Sequence, residues 1–438
     1  MLVRRGEKIR EEEGRARNAS LLRAPSNDIG SRGLVIAEVC SCKLSEECKG
    51  LRLVLPLERS ELELRTGAPN RRAWQNRMAR ECWGYAAFDH SGTMKPFRFT
   101  RRKCRSEDIC FEVKYCGICH TDLHQIKDDW KELPATYPMV PGHEVVGIVC
   151  EVGRDVKTFK PGDRIGVGCI VNSCGQCDHC KRHLEQYCER KFVWTYNDKD
   201  IYVDGNITYG GYSTLMVVPE RYALKIPEAL PLDAAAPLLC AGVTVYSPMK
   251  HYEMEKGGKN FGVIGLGGLG FMAAKFAKAF GMRITVISTS PSKEQEARHA
   301  LHADHFVVST DPKQMKAAEK SLDFIIDTVS AEHSMDQYLP LLRTNGKIIL
   351  VGIPSKPLEV SAFNLHAARR CVGGSLIGGI RETQEMLDFC GKHHIFCKIE
   401  LIPIGYVNEA MVRLVKSDVK YRFVIDVAAS TPPEFRPN

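Results

Sequence analysis

The stretch NSCGQCDHCKRHLEQYC places four thiols, Cys174, Cys177, Cys180 and Cys188, within residues 172–188. Three cysteines at C-x-x-C-x-x-C spacing, with a fourth eight residues on, let one loop wrap a single ion. Four thiolates around zinc close a tetrahedron and leave no position for water, the pattern of a structural site. An iron–sulfur cluster is the alternative that thiolates also serve. His179 and His183 stand beside the four and could compete as ligands. Burial as small apolar side chains does not suit so polar a segment.

A second donor set is scattered. CGICHTDLH at 116–124, PGHEVVG at 141–147 and PLLCAGVT at 237–244 supply Cys119, His143 and Cys240. Together they make a thiolate–imidazole–thiolate set that leaves one position open for water or a substrate oxygen, whose pKa zinc lowers as a Lewis acid. Thr121 and His124 follow Cys119 by two and five residues, within reach to pass a proton from that oxygen to solvent. Asp122 and Glu144 adjoin the ligands and could orient an imidazole and tune the ion.

FGVIGLGGLGFMAAKFAKAF carries Gly265, Gly267 and Gly270 as G-x-G-x-x-G, between an apolar run and a helical pattern. Leu266, Gly268 and Leu269 fill the loop. The glycines allow a tight turn and close backbone approach, and the helix N-terminus receives a pyrophosphate. An enzyme using NAD usually presents an acid about 20 residues after the first glycine for the ribose 2′-hydroxyl. This chain has Ser288, Thr289, Ser290 and then Lys293, which suits a 2′-phosphate and hence NADP(H).

The elements that must hold these groups fall into two patterns. Residues 79–240 have short β runs such as CFEVKYC and VVGIVCEV between PG, GD and NG turns, as expected of an antiparallel, barrel-like domain. Residues 241–377 alternate apolar β runs (FGVIGLG, RITVIST, LDFIIDTV, KIILVGI) with helical stretches (LGFMAAKFAKAF, PSKEQEARHAL), the rhythm of a doubly wound parallel sheet. The fold class is therefore α/β, a β-rich domain joined to a Rossmann domain.

Composition narrows the function. At 44% apolar and 26% charged, the 438 residues have the balance of a globular protein, and no apolar run is long enough for a membrane helix. Residues 1–77 carry 16 Lys/Arg against 11 Asp/Glu, more than half of the +8 net charge. The rest is nearly balanced and has no basic cluster beside the cysteines, which argues against a nucleic-acid partner and against a zinc-ribbon binding protein. The N-terminus has no apolar core of a secretory signal, so the eighteen cysteines read as cytoplasmic thiols and metal ligands. Residues 1–77 show no sustained period and read as an extension that is disordered or not translated.

From residue 79 the chain resembles the plant cinnamyl alcohol dehydrogenases of the zinc-dependent medium-chain superfamily, through YCGICHTDLHQ, YPMVPGHEVVG, the four-cysteine loop, APLLCAGVTVYSP, GLGGLG, IIDTV, EMLDFC and YRFVIDV. Alcohol dehydrogenases are the standard example of the Cys₂His set. The resemblance implies a GroES-like catalytic domain in two segments, 79–240 and 378–438, around a Rossmann domain at 241–377, in a homodimer. It implies two zinc ions per subunit. The catalytic one is held by Cys119, not Cys116, with His143 and Cys240, and with Glu144 as an alternate ligand. It implies a proton relay of Thr121 and His124 extended by Asp129, and a cofactor lined by Thr121, Thr244, Thr328, Gly352, Ser375, Leu376 and Ile377. The reaction would be reversible reduction of a cinnamaldehyde by NADPH, with Trp194 against the substrate ring. Leu376 stands where lignin-forming members often carry a bulky aromatic, and DDWKELPATYP is longer than the usual connection. Both features would lie near where a substrate enters, and a pocket with an aliphatic wall would suit a terpenoid or another aliphatic alcohol instead.

Overall fold

The computed structural model describes residues 79–354 and 356–435, so the expected extension at 1–77 lies outside the described residues. Alternating apolar residues build the first half as antiparallel strands. Arg80–Ala87 (β1) and Met94–Arg101 (β2) form a hairpin, followed by Asp108–Gly117 (β3), whose Ile109, Phe111 and Val113 are buried. A seven-stranded sheet forms around β3 with Val145–Val152 (β4), Arg164–Val167 (β5), Leu215–Pro219 (β8) and Leu224–Lys225 (β9). Ile170–Ser173 (β6) and Phe192–Trp194 (β7) pair with each other on either side of the four-cysteine loop.

Six strands follow in a parallel sheet: Asn260–Ile264 (β10), Arg283–Ser288 (β11), His305–Val308 (β12), Leu322–Asp327 (β13), Leu342–Leu350 (β14) and Cys371–Gly374 (β15). Their order is β12-β11-β10-β13-β14-β15. The strand order reverses between β10 and β13, and the crevice at the carboxyl ends there is where a doubly wound sheet binds its ligand. Ile264, ending β10, and Asp327, ending β13, pair across that point.

Ile399–Pro403 (β16) and Arg422–Asp426 (β17) then return to the first sheet. β17 runs antiparallel to β3 and pairs Val424 with Gly117 and Ile425 with Cys116, next to the first ligand stretch. One apolar core joins the two halves, with Val146 and Leu224 packed in the same cluster as Phe261, Val263 and Phe276. Among the described residues no helix is long and apolar enough to cross a membrane.

Candidate functional site

Helix His120–Ile126 (α1) begins at Cys119, and Asp122 makes that start specific. Asp122 Oδ2 accepts the backbone N–H of Cys119 at 2.9 Å, so the cap also fixes the first thiol. Asp122 Oδ1 accepts from Gly142 N at 3.1 Å and holds His143 Nδ1 at 3.1 Å. Tyr212 donates its hydroxyl to Oδ2 at 3.2 Å. With Nδ1 engaged, Nε2 is the His143 nitrogen free to coordinate. Asp122 is wholly buried, which fits an orienting carboxylate and not a proton carrier to solvent.

The glycines of these stretches are there for close approach. Gly142 has φ +105°, and a Cβ there would strike the Tyr212 ring and the Cys116 sulfur. A Cβ on Gly117 would overlap the Glu144 carboxylate. Cys240 lies at the start of helix Ala241–His251 (α2). One donor atom from each of Cys119, His143, Glu144 and Cys240 lies within 4.8 Å of the others, and all four residues are buried. The Cys119 and Cys240 sulfurs are 3.9 Å apart. Cys116 falls outside this set.

This set fits a divalent cation. Both Glu144 oxygens are buried without a hydrogen-bond partner among the described residues. Burial, against the pull of Arg422, pushes the Glu144 carboxyl up to about 8. The hydrogen bond between Cys119 and Cys240 holds the Cys119 thiol well below the usual thiol range, helped by Arg422 and His143, and pushes the Cys240 thiol well above it, so the two sulfurs share one proton.

The four-cysteine loop is equally well formed. The sulfurs of Cys174, Cys177, Cys180 and Cys188 lie within 4.8 Å of one another, and none of the four is in a disulfide. The N–H groups of Gln176 and Cys177 point at the Cys174 sulfur, at 3.5 and 3.3 Å. His179 pairs through Nδ1 with Glu189 at 3.1 Å, and neither it nor His183 joins the cluster.

Thr121 and His124, three residues apart, share a face of α1. His124 Nδ1 is 2.9 Å from Asp129 Oδ2, and the ring stacks on Trp130 with centroids 5.1 Å apart. The longer connection thus packs against the His124 ring, and Asn197 Oδ1 accepts from Thr136 N within it at 2.8 Å.

At the switch point Gly265 has φ +85°, and a Cβ there would meet Thr328 Oγ1. Helix Gly268–Ala279 (α3) starts at Gly267, where a Cβ would meet nothing within 4 Å among the described residues. Gly270 and Gly352 lie directly against the carbonyls of Gly265 and Val329. Ser288 ends β11 with its hydroxyl accepting from Ser290 N at 3.2 Å, Thr289 is exposed, and Lys293 Nζ reaches Leu266 O at 3.3 Å. Thr244 is buried on α2. Ser375 N bonds Leu350 O at 3.1 Å at the carboxyl end of β14. Trp194 is half-buried edge-on to Phe192, with centroids 4.6 Å apart.

Three features escape a reading by spacing. Arg422 Nη1 lies 3.7 Å from Glu144 Oε1 and donates to Ile118 O at 3.2 Å, while its guanidinium also packs where a Gly268 Cβ would stand, 2.9 Å from Nη2. It therefore touches both the ligand set and the glycine loop. Trp130 covers His124. His333 Nε2 is 2.7 Å from the buried Asp327, just beyond β13. Arg422 lies within YRFVIDV and Trp130 within DDWKELPATYP, but spacing assigns neither a role; a counter-charge for Glu144 is the one signal that charge pairing would have asked for.

Two family models match the chain, "Alcohol dehydrogenase GroES-like domain" over residues 105–228 and "Zinc-binding dehydrogenase" over residues 268–392. A probable mannitol dehydrogenase of Medicago sativa is 58% identical over 350 residues, 80% of this chain and 96% of that protein. The 8-hydroxygeraniol dehydrogenase of Catharanthus roseus is 56% identical over 348 residues, 80% and 95% of the two chains. Among solved structures, a cinnamyl alcohol dehydrogenase of Sorghum bicolor matches with TM-score 0.78 and 51% identity over 80% of this chain and 99% of its own. A Helicobacter pylori counterpart complexed with NADP(H) matches with TM-score 0.76 and 43% identity over 81% and 100%. The chain belongs to the zinc-dependent medium-chain alcohol dehydrogenases. Within them it falls in the plant group of cinnamyl alcohol, mannitol and hydroxygeraniol dehydrogenases.

Proposed function

We propose that this chain is an NADP(H)-dependent dehydrogenase that interconverts a cinnamaldehyde and its alcohol, with one zinc held by Cys119, His143 and Cys240 and a second by the four-cysteine loop. The buried convergence of two thiols, an imidazole and the Glu144 carboxylate, whose oxygens have no hydrogen-bond partner among the described residues, supports this reading most strongly. When bound, the catalytic zinc supplies a Lewis acid at the substrate oxygen and the dinucleotide supplies the hydride.

The chain's own residues do the rest. Asp122 fixes the His143 ring, and Thr121 receives or gives the substrate proton. His124 carries that proton toward solvent, with Asp129 orienting its ring through Nδ1. Ser288, Thr289, Ser290 and Lys293 take the 2′-phosphate, and Trp194 and Leu376 border the substrate. Residues 79–240 and 378–438 form the catalytic lobe and 241–377 the dinucleotide lobe of a cytoplasmic homodimer.

The aliphatic Leu376 favours a second reading, a terpenoid or other aliphatic primary alcohol, in keeping with the named activity of the Catharanthus relative. The test is NADPH oxidation over a panel of cinnamaldehydes and acyclic terpenoid enals, with mannitol oxidation as a third arm. A higher kcat/KM for the cinnamaldehydes upholds the first reading, a higher value for the enals selects the second, and no turnover of either class overturns both.

A further inference from the structure

The four-cysteine loop ends in Glu185–Gln186–Tyr187, one turn of 3₁₀ helix leading into Cys188. This turn reaches across to residues 376–380, where the chain leaves the parallel sheet. Tyr187 Oη accepts the backbone N–H of Leu376 at 3.1 Å. Glu185 Oε2 accepts that of Ile380 at 3.1 Å, and the carboxylate is buried, with Arg221 Nη2 3.4 Å from Oε1. Gly379 lies so close to the carbonyl of His183 that any Cβ would overlap it.

Between the two anchors sits a strained residue. Ile377 has φ +39°, a left-handed conformation that a β-branched side chain avoids unless its surroundings impose it. Ile377 and Gly378 also line a small void with Cys169 and Val243, three residues beyond Cys240. The segment kept in this conformation thus shares a void with Val243 of α2, the helix that Cys240 begins, and carries Leu376 at its start.

We propose that the four-thiolate lobe is a positioning device for the active site: Tyr187 and Glu185 hold residues 376–380 in their strained conformation and thereby set the wall met by substrate and nicotinamide. The lobe would thus act on turnover through these two hydrogen bonds, at a distance from the reacting atoms. Its catalytic readout rests on the dehydrogenase reading; its structural readout does not.

The test compares the full-length, zinc-loaded protein with Tyr187→Phe and Glu185→Gln. Tyr187 is 41% exposed, so removing its hydroxyl leaves the core intact. Amide hydrogen exchange should quicken at residues 376–380 and stay unchanged in β3 and β10, with zinc content retained. KM for aldehyde and NADPH should rise roughly threefold to tenfold in Tyr187→Phe and less in Glu185→Gln, whose amide oxygen can still accept from Ile380, with kcat within about twofold in both. Should Glu185→Gln lose zinc or fail to fold, Tyr187→Phe carries the test alone. Unchanged exchange at 376–380 in Tyr187→Phe overturns the proposal, as does an increase spread evenly over the chain. Faster local exchange in a protein with no NADPH-dependent turnover upholds the positioning role and overturns the dehydrogenase reading instead.

Discussion

The two donor clusters use the same residue type in opposite settings. The four-cysteine loop draws all its ligands from residues 174–188, and three of its four cysteines are only half-buried. The other set gathers Cys119, His143 and Cys240 from three distant stretches into a buried site. Its Asp122, Glu144 and Arg422 are buried too. A loop that closes on itself needs little from the rest of the protein to bind an ion. A set with an open position needs its orientation imposed from outside, and here one aspartate does it by capping a helix and holding an imidazole at once.

This contrast can be broken most directly by removing one thiol from each cluster. Cys119→Ala should halve the zinc content and lower kcat/KM by roughly 10²- to 10³-fold, since polarisation of the substrate oxygen is worth several kcal/mol. Cys174→Ala should also halve the zinc content, but its main effect should be a lower melting temperature with most of kcat kept. Equal losses of activity in both variants would erase the distinction. Asp122→Asn sharpens it: zinc affinity should fall roughly 10- to 100-fold at the buried set alone, read by metal competition titration.

How much of this could be read beforehand follows the same contrast. The closed loop is local, and spacing alone identified it. Gly265, Gly267 and Gly270 were legible because strand, turn and helix run consecutively there. Cys119, His143 and Cys240 were weak individually, because nothing in spacing brings Cys240 back to Cys119 across 121 residues; the resemblance joined them. Arg422, Trp130, Tyr187 and Glu185 were not legible at all. Their roles depend on contacts between β17 and β3, between a connecting loop and α1, and between the cysteine loop and the end of the parallel sheet.

Smaller effects test the dinucleotide half. Ser288→Asp places a carboxylate where a 2′-phosphate is proposed to sit, and the ratio of kcat/KM for NADPH over NADH should fall about tenfold or more. The smallest concerns two imidazoles that each lean on a buried aspartate. His143 keeps one nitrogen free, whereas His333 engages Asp327 through Nε2 and the Ala331 carbonyl through Nδ1, 2.8 Å away. The Asp327 hydrogen bond raises the His333 pKa. Its stabilisation is therefore complete below the unfolded value near 6.5 and is lost as pH rises through the higher folded value. His333→Gln should cost about 1 kcal/mol at pH 6 and less at pH 9 in urea unfolding.

Arg422 opens β17, the last strand among the described residues, yet it touches Glu144 behind the ligand set and Gly268 at the head of α3. During synthesis the ligands, the relay and the glycine loop all emerge before the cation that links them. A polypeptide stopped short of β17 would own nearly every reactive group and still leave a carboxylate buried without its counter-charge, so competence arrives with the last strand.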